Sequence, residues 1–394
     1  MRMLNGLIGA FLLGVMTACG GGGGGGRSDT GTLKLSLTDS PTCGFDKVFV
    51  TVEKVRVHSS ASAGENDAGW AEVVLASPTR VDLLSLNNGT LLALGETELP
   101  AGTYTQMRLV LSPNSATNPF ANAIQPTGGA EVALTTPSAQ TSGLKANINI
   151  EISAGQLADF AIDFDACKSF VKAGNSGKYL IKPVLSVIPI LSSTGQKIVG
   201  YLDSSMVGSS TQVSVQQSGV PQRATSPEAS GRFVLYPVPV GTYDLVIAAI
   251  GHANAVLTGV PVNSTVSTVI GSDSARILTP LSATSHTALG TVSLNGSTAA
   301  TDGVVRATQT FASGTRIEVG FASADASSGS YSLSLSTAPP ANLAYSAGTT
   351  SFVFTNEAAS AGLYRLEASV PSLSAKTADV NLGSGDVTTD FLFP

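Results

Sequence analysis

The chain has 394 residues, 43% hydrophobic and only 12% charged, and 27 acidic against 21 basic residues leave a net charge of −6. That balance, with no basic patch in the sequence, excludes a nucleic-acid-binding surface of the usual kind. Ser, Thr, Gly and Ala fill the place of the missing charge. This is the profile of an exported all-β protein rather than a cytosolic helical enzyme, long enough for two or three domains.

The N-terminus carries a positive Arg2, an apolar stretch over residues 4–15, and then Met16-Thr17-Ala18-Cys19. The stretch has the length of a secretory h-region and is too short to span a bilayer, which takes about 20 residues. Small residues before Cys19 resemble the lipobox of a bacterial lipoprotein signal peptide, with Met16 where leucine is commonest. An ordinary secretory signal that happens to contain Cys19 is the plainer alternative. The resemblance implies lipidation of Cys19, cleavage before it, and a membrane anchor of two or more acyl chains, each buried CH₂ contributing about 0.8 kcal/mol. Gly20 follows, where aspartate would imply inner-membrane retention, so the resemblance places the protein at the outer membrane. Seven glycines at 20–26 form neither core nor helix and read as a flexible tether with a mean span of roughly 15 Å. The expected divisions are 1–18 signal peptide and 19–29 lipidated cysteine and tether.

Of three cysteines, lipidation of Cys19 leaves Cys43 and Cys167. An even remainder in an oxidising compartment suggests a disulfide. Closing so long a loop contributes up to about 4–5 kcal/mol in the chain-entropy model. Two separate thiols are the alternative.

Residues 30–191 alternate at period two. Leu33, Leu35 and Leu37 face one way, and so do Val48, Val50 and Val52. The phase then slips to Val55 and Val57, which predicts a β-bulge near Glu53-Lys54. Ile148, Ile150 and Ile152 continue the pattern, as do Phe160, Ile162 and Phe164. Half-buried sheets and a β-sandwich follow. Several runs resemble a bacterial lipoprotein domain of unknown function, number 4382 in its series. They are Thr32-Leu33-Lys34-Leu35-Ser36-Leu37-Thr38-Asp39-Ser40-Pro41, Val48-Phe49-Val50-Thr51-Val52-Glu53-Lys54-Val55-Arg56-Val57-His58, and Val81-Asp82-Leu83-Leu84. Leu99-Pro100-Ala101-Gly102-Thr103-Tyr104, Asp163-Phe164-Asp165-Ala166 and Tyr179-Leu180-Ile181-Lys182-Pro183-Val184 complete them. That family brings no activity with it.

Residues 194–280 open a second set of strands. Gly231-Arg232-Phe233-Val234-Leu235-Tyr236-Pro237-Val238-Pro239-Val240-Gly241-Thr242-Tyr243 resembles the carboxypeptidase regulatory-like domain, a prealbumin-like sandwich. In peptidases that module is an appendage, and nothing here resembles their zinc-binding catalytic domain. Phe233 and Leu235 share a face, Pro239 and Gly241 make a turn, and Tyr243 is placed for a tyrosine corner. Residues 284–394 restart the pattern at Leu289-Gly290-Thr291-Val292 and weakly resemble a diverged sandwich of the same class. No acidic motif for a Lys–Asn isopeptide bond is evident.

Chemistry-bearing groups are sparse. His58, His252 and His286 show no metal-ligand spacing, and no G-x-S-x-G elbow is present. Asp163 and Asp165 on one strand face, with Asp39 nearby, are weak candidates for calcium; a solvated face is the plainer reading. Trp70, Tyr104, Tyr243, Tyr331 and Tyr364 are candidates for a sugar-stacking platform, although strand aromatics more often pack in cores. The expected protein is a non-catalytic envelope lipoprotein with no cofactor, a membrane anchor, and a glycan or envelope-protein partner. A carbohydrate-binding lipoprotein is the first alternative and an enzyme the second.

Overall fold

A computed structural model describes residues 29–40, 44–136, 142–208, 210–295, 299 and 302–394. The architecture is all-β, built as three two-sheet sandwiches in chain order. In the first, Thr30–Asp39 lies between Leu157–Phe164, which runs parallel to it, and antiparallel Leu92–Pro100. Leu185–Pro189 closes that four-stranded sheet. The facing eight-stranded sheet is organised on the long strand Phe45–His58, which pairs with Ala71–Asp82 on one side. Its other side pairs with Ala123–Pro126 and then with Gly102–Leu111. Leu144–Ile152 lies beyond Gly102–Leu111.

Period-two alternation explains this packing. Leu33, Leu35, Leu37, Val48, Val50, Val52, Val55 and Val57 all enter one core. The register shift falls between Val52 and Lys54 in the pairings of the long strand with Ala71–Asp82 and with Gly102–Leu111. The extra residue therefore lets the valines return to the core after the phase slip.

The second sandwich pairs Arg232–Leu235, Ile198–Tyr201 and Thr268–Ile270 in one sheet. The other runs Val220–Thr225, Gln212–Gln217, Gly241–Ala248, Ala255–Val262. This sheet continues into Ala341–Ala344, parallel to Ala255–Val262, and then Thr355–Asn356. Both strands come from the 284–394 range, and Tyr345, Phe352 and Phe354 pack against the second core. That range therefore serves two sandwiches. The third sandwich sets Ser330–Ser336, Ser285–Leu294, Val387–Thr388 and Phe391–Phe393 against Arg316–Ser323, Val304–Thr310, Leu363–Ser369 and Lys376–Asn381.

Candidate functional site

The three candidate aspartates do converge, at a seam where all three sandwiches meet. Asp39 ends the first strand, Asp163 sits one residue before the end of its parallel neighbour, and Asp165 caps the short helix Ala166–Ser169. Each already has partners. The Arg223 guanidinium, from the second sandwich, forms an ion pair with Asp163. It also donates to Thr38 Oγ1 at 2.7 Å and to the Asp39 carbonyl at 3.0 Å. Only 2% of Arg223 and 5% of Asp163 is exposed, so the pair is taken out of water on both sides. Ser40 Oγ lies 3.3 Å from both Asp163 oxygens. Asp39 Oδ1 accepts from the Ala166 N–H at 2.9 Å. The arrangement is a cation clasp rather than an oxygen cage. Among the described residues no cluster of three His, Cys, Asp or Glu is placed to hold a metal.

Glu318 of the third sandwich completes the seam. Its carboxylate receives Lys168 Nζ at 3.0 Å and Arg306 Nη1 at 3.2 Å. Its backbone exchanges two 2.8 Å hydrogen bonds with the Gln216 side chain of the second sandwich. One residue thus touches all three bodies. Burial raises the Asp39 carboxyl well above the usual range, against the Ala166 hydrogen bond. Burial likewise raises Asp165 to about 6, with Lys168 opposing. A cavity of about 170 Å³ lies among Ser40, Asp163, Asp165, Lys168, Gln212 and Arg223.

Two other junctions lock the first sandwich. Asn88, at φ +52°, donates to Ser226 O and accepts from Val234 N–H at 3.0 Å. Asp325 of the third sandwich accepts from Gly174 N–H at 2.7 Å. Burial opposes ionisation of Asp325, but donors from Ser327, Ser328 and Gly174 outweigh it and hold the carboxyl below its usual range.

The aromatic candidates do not form an exposed platform. Tyr104, Tyr243, Tyr331 and Tyr364 are buried. Their hydroxyls donate to the carbonyls of Pro100, Pro239, Thr389 and Ser336 respectively. Burial raises all four phenols, Tyr331 to about 12. The expected corner at Tyr243 is present, and Tyr104 makes the same i→i−4 bond. Trp70 is half-buried under two guanidinium groups, Arg56 at 4.6 Å and Arg108 at 4.9 Å from the ring centre. His58 accepts from Ser60 N–H and contacts Ala68 O, His252 contacts Thr279 O, and His286 contacts Leu382 O. The three histidines are thus apart, each tied to backbone. Cys167 lies on Ala166–Ser169. Cys19, Cys43 and the glycine tether lie outside the described residues.

Residues 30–183 match the family described as a domain of unknown function, DUF4382. The DUF4382 region thus covers the first sandwich up to its last strand, and supplies the aspartates of the seam. No curated protein matches the chain in sequence. Among solved structures, the TIE protein of Bacillus anthracis is 10% identical at a TM-score of 0.18, over 92% of this chain and 50% of that one. The chain thus spans half the length of the TIE protein. The major pilin SpaA of Corynebacterium diphtheriae is 11% identical at 0.20, over 92% and 99%. BcpA, the major pilin subunit of Bacillus cereus, is 13% identical at 0.14, over 92% and 99%.

Arg223 and Glu318, which organise the seam, were not evident in the sequence. The only local signal is a charged residue at an inward position of an otherwise ordinary strand, and its partners lie 60 to 185 positions away.

Proposed function

We propose that this chain is a non-catalytic outer-membrane lipoprotein. Lipidated Cys19 holds it, the glycine tether lifts it from the head groups, and three sandwiches act as one body for adhesion or scaffolding. The observation that carries the reading is the seam. Buried ion pairs and hydrogen bonds commit the convergent polar groups of all three sandwiches to holding one another. A body of that kind transmits force and presents loops at fixed spacing. A Cys43–Cys167 disulfide belongs to the same proposal. Asp39 lies four residues before Cys43 in the sequence, and its carboxylate binds the residue next to Cys167.

The anchor is tested by labelling cells with radioactive palmitate and fractionating their membranes. Wild type is expected to carry label in the outer-membrane fraction, and Cys19→Ala to lose both label and location. An unlabelled wild-type protein rejects the anchor. Mass change on alkylation with and without reductant tests the disulfide, and two thiols alkylated without reductant reject it.

A further inference from the structure

Four residues form one row across the eight-stranded sheet of the first sandwich. Glu72 pairs with Arg56, Arg56 with Arg108, and Arg108 with Lys145, each directly opposite the next on adjacent strands. Directly opposed residues share a face, so this is a ladder of three cations beginning from one carboxylate. That carboxylate is already shared. Glu72 lies 3.1 Å from Arg56 Nε and 2.9 Å from Lys54 Nζ. Arg108 and Lys145 form no ion pair among the described residues. Their hydrogen-bond partners are backbone carbonyls: Ser142 O and Ala63 O for Arg108, Ala61 O for Lys145. Arg108 is 7% exposed. A guanidinium so buried ordinarily has a carboxylate, because desolvation without a counter-charge is expensive.

The cationic end of the row opens on a cavity of about 560 Å³. Arg108, Lys145 and Lys182 line it with Leu144, Ile181 and Pro183. Glu65 stands in the same wall, and Lys182 is shared with Asp302 of the third sandwich. The cavity therefore has a positive pole and an apolar side, in the size range of small-molecule sites. We propose that it binds a small organic anion, an oxyanion head on a short apolar body. The head supplies the counter-charge that Arg108 and Lys145 lack, and the body covers Leu180 and Pro183, the half-exposed apolar residues of the lining.

Titration calorimetry of the full chain in nonionic micelles tests this with butyrate, butyl phosphate, inorganic phosphate and butylammonium. Saturable binding of butyrate or butyl phosphate is expected, weakening as salt rises, with butylammonium silent. The ratio of the two affinities tells a carboxylate from a phosphate head, and binding of inorganic phosphate alone would remove the apolar body from the proposal. Lys145→Gln, on an exposed side chain that leaves the fold intact, is expected to weaken binding about tenfold. Arg108→Gln should weaken it further if it folds. No heat from either anion, or equal affinity in Lys145→Gln, overturns the site.

Discussion

Tyr104 and Tyr243 solve one problem in two sandwiches. Each follows a Pro-x-Gly-Thr turn, buries its ring, and returns its hydroxyl to the proline carbonyl, at 3.1 Å and 2.9 Å. The ring fills the sandwich end while the hydroxyl fixes the turn that leads into the strand. Tyr243→Phe keeps the ring and removes only the bond. It should cost about 1 kcal/mol in denaturant unfolding, with Tyr104→Phe close to it. Asp165 sets a pH dependence. Its folded pKa lies near 6 and above the usual carboxyl value, chiefly from burial. A raised acid binds more protons folded than unfolded between about pH 4 and 6, so its contribution to stability falls as pH rises through that window. Above it the penalty is constant. Asp163, Glu318, Lys168 and Arg223 surround the group. Asp165→Asn retains a capping oxygen and cannot ionise. Its melting temperature relative to wild type should be higher at pH 7.5 than at pH 4.5, and an equal difference at both would show that Asp165 is not raised.

At the scale of elements, much of the fold was legible. Alternation placed Leu33, Leu35 and Leu37 on a buried face, and the phase slip at Val55 located the bulge, because both follow from side-chain direction within one strand. Strand pairing was not legible. Ala341–Ala344 reads as part of the last sandwich but joins the second, and the cation row exists only because of register between distant strands. Neither leaves a local trace. Two expectations belong here. Lys145→Glu puts an acid opposite Arg108 and should add about 0.2–1 kcal/mol of cross-strand stability without any ligand, read as a raised melting temperature. Gly200 faces Phe233, which is fully buried, and an added Cβ would overlap the ring. Gly200→Ala should destabilise by about 1–3 kcal/mol through overpacking, read as a lowered denaturant midpoint at unchanged slope.

For the whole molecule, the seam decides whether three sandwiches behave as three proteins or one. The aspartates that meet there were legible as a group, since Asp163 and Asp165 lie two residues apart, where one strand gives way to a helix, and Asp39 ends another strand. Their purpose was not, because Arg223 and Glu318 reach them from other sandwiches. Arg223→Ala would leave Asp163 buried without its cation and Thr38 without its donor. Breaking one side of a buried pair costs about 3–5 kcal/mol, here charged to the contact between first and second sandwiches rather than to either core. Scanning calorimetry of wild type should therefore give one cooperative transition, and Arg223→Ala two, because the sandwiches then melt separately. Removing both charges, with Arg223→Met and Asp163→Leu together, leaves no stranded ion and should restore much of the lost coupling. Two resolved transitions already in wild type would mean that the seam is too weak to make one body, and the scaffold reading would fall with it.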